Sequence, residues 1–238
     1  MHMGSMEITT IVTCMTDGER PFLADSLRSV RDQTVPSKII LCVAENNTWV
    51  DDILFNVQAD IELMRLEFAW ASAIRNQAIA AVKTELVAFL DGDDLWRPTK
   101  LRRQVDALRA RQLDVVASKH ILIREDDSKP FFFGFAKNLP MTSSWLGKTA
   151  AFSERPFELV PVSEDVFLWE RLESEVRCEI MKDFLIRYRV REKSLSSMTP
   201  TKERKLKYAR WSQHAGVRPL LLSTSYLANV GLQARGRL

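Results

Sequence analysis

The sequence predicts an α/β fold: a mostly parallel, Rossmann-like sheet flanked by helices, followed by a basic helical C-terminal tail. Three observations predict it. Strand-like and helix-like stretches alternate through about the first 120 residues, the pattern of right-handed βαβ units. Two of the strand-like stretches, KIILCVA (38–44) and LVAFL (86–90), are near-continuous apolar runs, as strands covered on both faces require. The chain has 238 residues, 46% of them hydrophobic, enough for one sizeable core.

The elements follow in order. Residues 1–5, MHMGS, read as an expression remnant outside the fold. Residues 7–13, EITTIVT, are β-branched and strand-like. Pro21 suits a first helical turn, and Leu23, Leu27, Val30 and Arg31 keep helical spacing to about Gln33. KIILCVA (38–44) reads as a buried strand, AENNTW (44–49) as a loop and MRLEF (64–68) as a short strand. Over 71–83, Ile74, Ala78, Ile79 and Val82 share one helical face. LVAFL (86–90) is a buried strand. Pro98 begins a helix carrying Leu101, Val105 and Leu108, and DVVASKHILI (114–123) is again strand-like. The second half is more mixed: FFFGF (131–135), a helix near 163–175, a strand near 179–190 and a basic terminal helix. The stretch near 192–201 is the best candidate for a linker.

Composition narrows the class. No basic segment followed by an apolar one opens the chain, and no apolar run reaches the ~20 residues of a membrane helix. Cys14, Cys42 and Cys178 are odd in number and scattered. That argues against a disulfide framework and for a reducing cytoplasm. Net charge is +3, but within 201–238 eight Lys and Arg residues face the single acid Glu203. Such a run is either a solvated helix face or a contact with an anionic membrane surface or acidic polymer.

The stretch VAFLDGDDLW (87–96) carries the first chemical signal. A buried strand runs straight into Asp91, Asp93 and Asp94. Like charges ~4 Å apart cost roughly 1 kcal/mol in water and about 4 near a protein surface. In open α/β sheets ligands collect beyond the carboxyl ends of the strands, which is where these acids fall. Hard carboxylate oxygens suit Mg²⁺ or Mn²⁺, and a divalent ion there would relieve the repulsion and hold a phosphate. The alternative is turn chemistry, with Asp-Gly as a turn pair and one Asp capping the next helix. An EF-hand does not fit, since its twelfth position, counted from Asp91, is Arg102. A phosphatase of the haloacid dehalogenase type also places Asp-x-Asp after an apolar strand, with the first Asp as nucleophile. Leu95 stands where that family has Thr or Val, and two βα units precede the motif.

Four blocks together resemble the family 2 glycosyltransferases of the GT-A fold. They are FLADSLRSVRDQT (22–34), ASAIRNQAIAAVKTELVAFLDGDDLWRPTKLRRQV (71–105), SEDVFLWERL (163–172) and YRVREKSLSS (188–197). They keep the family order and span roughly residues 7–197. The resemblance implies a glycosyltransferase domain over 6–200, with a nucleotide-binding half to about 112 and an acceptor half beyond. The tail at 201–238 matches no block.

Carried over by position, the resemblance implies that Thr13 lines the base pocket. Glu45 stands where the family places a base-contacting Asp, within Ala-Glu-Asn-Asn (44–47) in place of Asp-Asp-Gly-Ser. Arg75 would reach the nucleotide or its phosphates. Asp91 would hold the ribose or the metal, Asp93 would be the direct metal ligand, and Asp94 would lie behind them or cap a helix. Asp165 would be the general base. Ser163 as N-cap puts Glu164 and Asp165 in a first helical turn, where the helix dipole alone favours acids by ~0.3–1 kcal/mol. Arg191 falls where many relatives carry a His that helps hold the diphosphate or metal. An Arg cannot bind a cation, but its fork pairs with phosphate. His120 and His214 are lone and suit core or surface roles.

The implied reaction is inverting transfer of a sugar from a nucleotide-diphospho-sugar, commonly a UDP-sugar, to a hydroxyl of a glycan or lipid-linked acceptor. Mn²⁺ or Mg²⁺ would assist. No nucleic-acid partner is expected. The basic tail favours an acceptor at the inner face of the cytoplasmic membrane. The rivals are the phosphatase and a non-catalytic protein that binds nucleotide-sugars.

Overall fold

The computed structural model describes residues 7–67, 69–123, 125, 130–133, 140–160, 164–189 and 191. The first half runs β1 (Ile8–Cys14), α1 (Arg20–Arg31), β2 (Lys38–Ala44), α2 (Val50–Val57), β3 (Ile61–Leu66), α3 (Ala71–Ala81) and β4 (Leu86–Asp91). Then come β5 (Leu95–Trp96), α4 (Lys100–Ala110), β6 (Val115–Ile123), β7 (Pro130–Phe133), β8 (Leu146–Lys148), α5 (Thr149–Ser153), α6 (Glu164–Glu175) and β9 (Cys178–Arg189).

These strands form one sheet in the order β3-β2-β1-β4-β8-β6-β9-β5, with β7 beside β6. β3, β2, β1 and β4 are parallel, as the alternation of strands and helices predicts. Beyond β4 the sheet turns mixed. β8 runs antiparallel between β4 and β6, β9 lies parallel to β6, and β5 closes the edge antiparallel to β9. The short β8 can approach this closely because Gly147 has no side chain: a Cβ there would sit 2.8 Å from the Asp114 carbonyl oxygen.

Strand alternation sorts the core into two layers. Ile8, Val12, Leu41, Val43, Ala88 and Leu90 face the layer of α1, α2 and α4, meeting Leu23, Leu27, Val50, Leu101 and Val105. Ile11, Ile40, Cys42, Val87 and Phe89 face the layer of α3 and α6, meeting Ile74, Ala78, Val166, Trp169 and Leu172. Phe89 stands edge-on to Trp145, Phe152 and Phe157, and Trp145 stacks on Phe157 with ring centroids 6.0 Å apart. This aromatic wall sits directly behind the rim where β4 ends.

Helix α2 falls in a stretch where the pattern predicts only a loop at 44–49 and then a strand. Val50, Ile53, Leu54 and Val57 keep helical spacing, but over eight residues, where periodicity is a weak signal. It stops where Gln58 takes a left-handed conformation with φ 53°. β3 begins three residues before the predicted MRLEF strand, at Ile61. Ser163, the Ser-Leu-Ser loop, the candidate linker and the basic tail lie outside the described residues. Among the described residues no helix is long and apolar enough to cross a membrane.

Candidate active site

Parallel pairing brings the carboxyl ends of β1 and β4 together, with Thr13 opposite Asp91 in register. Asp91 is the last residue of β4, and the turn that follows is pinned from several sides. The Gly92 N–H donates to Thr13 O at 2.8 Å, and the Asp94 N–H to Asp91 O at 3.0 Å. The buried hydroxyl of Ser26, on α1, lies 2.9 Å from Gly92 O and 2.7 Å from Asp94 O. A side chain at position 92 would put a Cβ 3.0 Å from Cys14 Cβ and 3.1 Å from Thr13 O, so the turn needs glycine to lie this close to β1.

The three acids of the turn have different surroundings. Asp94 is fully buried and caps no helix. One oxygen, Oδ2, accepts from Ser143 Oγ at 2.6 Å, and Oδ1 accepts the Arg189 N–H at 2.9 Å. Burial, then the charges of Asp93 and Asp91, push its carboxyl well above the usual range. Asp94 therefore ties the rim to β9 and to the turn at 142–144. Arg189 completes that tie, donating through Nε to Asp93 O at 2.9 Å and packing its guanidinium 4.3 Å from the Phe22 ring centroid.

Asp91 stands at the centre of a charge relay across the rim. Its Oδ1 accepts from Thr13 Oγ1 at 3.1 Å and from an Arg75 guanidinium nitrogen at 2.7 Å. The other terminal nitrogen of Arg75 donates to Glu164 Oε1 at 2.9 Å. Arg75 is 5% exposed and lies over the Phe157 ring. Burial opposes its charge, but Asp91 and Glu164 outweigh burial and hold the guanidinium charged. This relay fixes the start of α6 beside β4 and so sets Asp165, the next residue, at the same rim. Asp165 is half-buried, and its Oδ1 accepts the Val166 N–H at 2.9 Å.

Asp93 pairs with Arg191, whose Nε reaches Asp93 Oδ2 at 2.6 Å. Burial pushes the Asp93 carboxyl up. Arg191 counteracts it, and the nearby Asp91 adds to it. Glu45 stands apart, exposed just past β2, with its backbone N–H donating to Leu66 O at 2.9 Å. Thr13, Asp91, Arg75 and Glu164 thus form one connected network with Asp165 beside it. Asp93 and Arg191 form a second pair on the same turn, and Glu45 lies on the neighbouring strand end.

Ser143 and Glu19 of the site, and the pairing of Arg75 with Glu164, are not among the features expected from the sequence. Glu164 and Arg75 are 89 residues apart, and Ser143 sits in a short 3₁₀ turn with no periodic signal. Glu19, in the loop after β1, is buried and accepts from the Thr16 N–H at 2.8 Å and Thr16 Oγ1 at 3.0 Å. The S/T-x-x-E spacing of Thr16 and Glu19 is a capping-box signature visible in the sequence. Burial, then the charge of Asp93, raise the Glu19 carboxyl from 4.5 to about 7. Folding therefore takes up a proton at Glu19. The stability this contributes is complete below about pH 4.5 and is lost as pH rises through about 7. Glu19→Gln should flatten that part of the stability profile by up to about 3 kcal/mol, read from urea unfolding at pH 5 and pH 8. An unchanged difference between the two pH values would disprove the assignment.

The carboxylates that could face a divalent cation are Asp91 and Asp93, which lie on one turn; burial, and in smaller part the charge of Asp91, raise the Asp93 carboxyl, a charge that a cation would offset. Among the described residues no group of three or more His, Cys, Asp or Glu could hold a metal alone. Mg²⁺-like ions do not need one, because they bind through one or two carboxylates plus substrate phosphates.

Residues 10–148, more than half of the chain, match the model of glycosyl transferase family 2. TuaG of Bacillus subtilis, a glycosyltransferase assigned to teichuronic acid biosynthesis, is 29% identical over 112 residues, 45% of this chain and 44% of TuaG. The fold superposes on S. aureus TarS 1–349, solved with UDP-GlcNAc, with a TM-score of 0.67 at 16% identity. The match covers 82% of this chain and 62% of that one. It superposes equally on the mannosyltransferase PcManGT of Pyrobaculum calidifontis, solved with GDP-Man and Mn²⁺, with a TM-score of 0.67 at 15% identity. There it covers 94% of this chain and 70% of PcManGT. This chain thus spans less than half of TuaG and about six-tenths of the TarS fragment. With the family's model matched from β1 to β8, through the acidic turn at the end of β4, the chain belongs to glycosyl transferase family 2.

Proposed function

We propose that this chain moves a sugar from a nucleotide-diphospho-sugar to an acceptor hydroxyl with inversion at the anomeric carbon. The observation that carries the reading is the Asp91–Arg75–Glu164 relay, which holds the first turn of α6 at the carboxyl edge of β4. A candidate base and a candidate diphosphate site then share one rim. Family membership favours this over a phosphatase.

The donor enters over the ends of β1, β2 and β4. Thr13 and Glu45 flank the base, Arg75 and Asp91 bind toward the ribose and phosphates, and Arg191 offers its fork to the diphosphate. Asp93 and Asp91 would hold Mn²⁺ or Mg²⁺, which, when bound, offsets negative charge on the leaving group. Asp165 takes the proton of the acceptor hydroxyl, whose oxygen attacks the anomeric carbon opposite the diphosphate. The sugar–oxygen bond to the diphosphate breaks as the new one forms, so configuration inverts. Arg75 and Arg191 stabilise the charge that gathers on the diphosphate.

TarS was solved with a uridine donor and PcManGT with a guanosine donor. Of the two we favour UDP-sugars. The acceptor is a glycan or a lipid-linked intermediate, and the basic residues of 201–238 would hold the cytoplasmic protein against an anionic membrane. A thermal-shift screen of UDP and GDP with and without Mn²⁺ tests the donor reading. Ligand at 100 times its Kd should add about 2.7 kcal/mol of stability. No shift with either nucleotide, with the metal present, would overturn it.

A further inference from the structure

We propose that Arg191 and the divalent cation compete for Asp93, so that a nucleoside diphosphate admits the cation by drawing Arg191 away. The inference rests on the donor-site reading above. The Arg191–Asp93 pair is tight and nearly closed to solvent, with an Nε–Oδ2 distance of 2.6 Å and side-chain exposures of 7% and 13%. A cation approaching Asp93 meets a guanidinium already seated on that carboxylate.

Asp94 cannot yield in its place, because both of its oxygens are bonded within the protein. Thr13 and Arg75 both bond to the same oxygen of Asp91, Oδ1, so Asp91 keeps those contacts while it shares the cation with Asp93. The backbone around Asp93 is held by Ser26, by Thr13 O and by Arg189 Nε. The exchangeable contact is the one that Arg191 makes, two residues past the end of β9. Parting the pair with no new partner for either group strands two charges in a poorly hydrated place, so the pair stays closed. A diphosphate changes the balance. It accepts the Arg191 fork and at the same time offers oxygens to the cation, so both charges exchange partners and neither is left bare. Nucleotide and cation must then help each other bind by the same factor, and Arg191 sets that factor.

The test is Mn²⁺ binding, followed by the electron paramagnetic resonance signal of the free ion, with and without UDP, and with GDP in parallel. Wild-type protein should bind Mn²⁺ at least tenfold more tightly with nucleotide than without. Arg191→Ala should tighten nucleotide-free Mn²⁺ binding at least tenfold and shrink the gain from nucleotide. Arg191→Gln, which keeps a hydrogen bond without the charge, should fall between and covers the case in which the alanine variant does not fold. Arg191→Ala combined with Asp93→Asn should lose the added affinity, showing that the gain is at Asp93. Nucleotide-free Mn²⁺ binding that is unchanged or weaker in both Arg191 variants overturns the competition. Wild-type protein that binds no Mn²⁺ with either nucleotide overturns the donor-site reading itself, a distinct result.

Discussion

Asp165→Asn should lower turnover by about 10²–10⁴ while nucleotide-diphosphate affinity stays at the wild-type value, the range for loss of a positioned general base. That corresponds to about 3–5 kcal/mol of barrier. Asparagine keeps the size of the side chain and an oxygen for the Val166 N–H, so the helix start is undisturbed. What it loses is the ability to take a proton from the acceptor. The neighbouring Glu164 is the natural rival for the role, since it shares the same helical turn. Its Oε1 is already committed to Arg75, which suits it to positioning rather than to proton transfer. Turnover numbers for both variants, measured with saturating donor, separate the two. A larger loss in Glu164→Gln than in Asp165→Asn would move the base to Glu164, and a near-normal Asp165→Asn rate would remove Asp165 from the mechanism.

The parallel half of the fold was legible because its signal is local. Continuous apolar strands alternating with amphipathic helices leave one arrangement, and that arrangement puts the ends of β1, β2 and β4 at one edge. Asp91 and Asp93 can therefore be placed at the rim before any coordinates, and the resemblance to the family adds Thr13 and Glu45. What could not be read is how the charges pair. Arg75 with Glu164, and Arg191 with Asp93, join residues 89 and 98 positions apart. Such contacts depend on how the second half of the sheet closes, and β8, three residues long, decides that without a pattern of its own. Asp94 illustrates the same limit. Beside Asp93 in sequence, it differs only in pointing into the protein, toward Ser143 and β9.

Arg75→Met should cost about 3–5 kcal/mol of unfolding free energy, the largest stability effect expected at the rim. The substitution nearly preserves volume but removes the guanidinium shared by Asp91 and the less exposed Glu164, and breaking a buried pair from one side is costly. The Arg75 side chain is 6% exposed, and those of Asp91 and Glu164 are 30% and 15% exposed. Because water reaches Asp91, the loss should sit toward the lower end if Asp91 dominates and toward the upper end if Glu164 does. A double-mutant cycle apportions it. Removing both charges in Arg75→Met with Glu164→Gln should restore more than 1 kcal/mol relative to Arg75→Met alone, since one stranded carboxylate is gone. Urea denaturation of the four proteins supplies the cycle. Additive losses would mean that Arg75 and Glu164 do not act as a pair, and the link that carries α6 to the edge of β4 would then have to be sought in the aromatic wall of Phe89, Trp145 and Trp169.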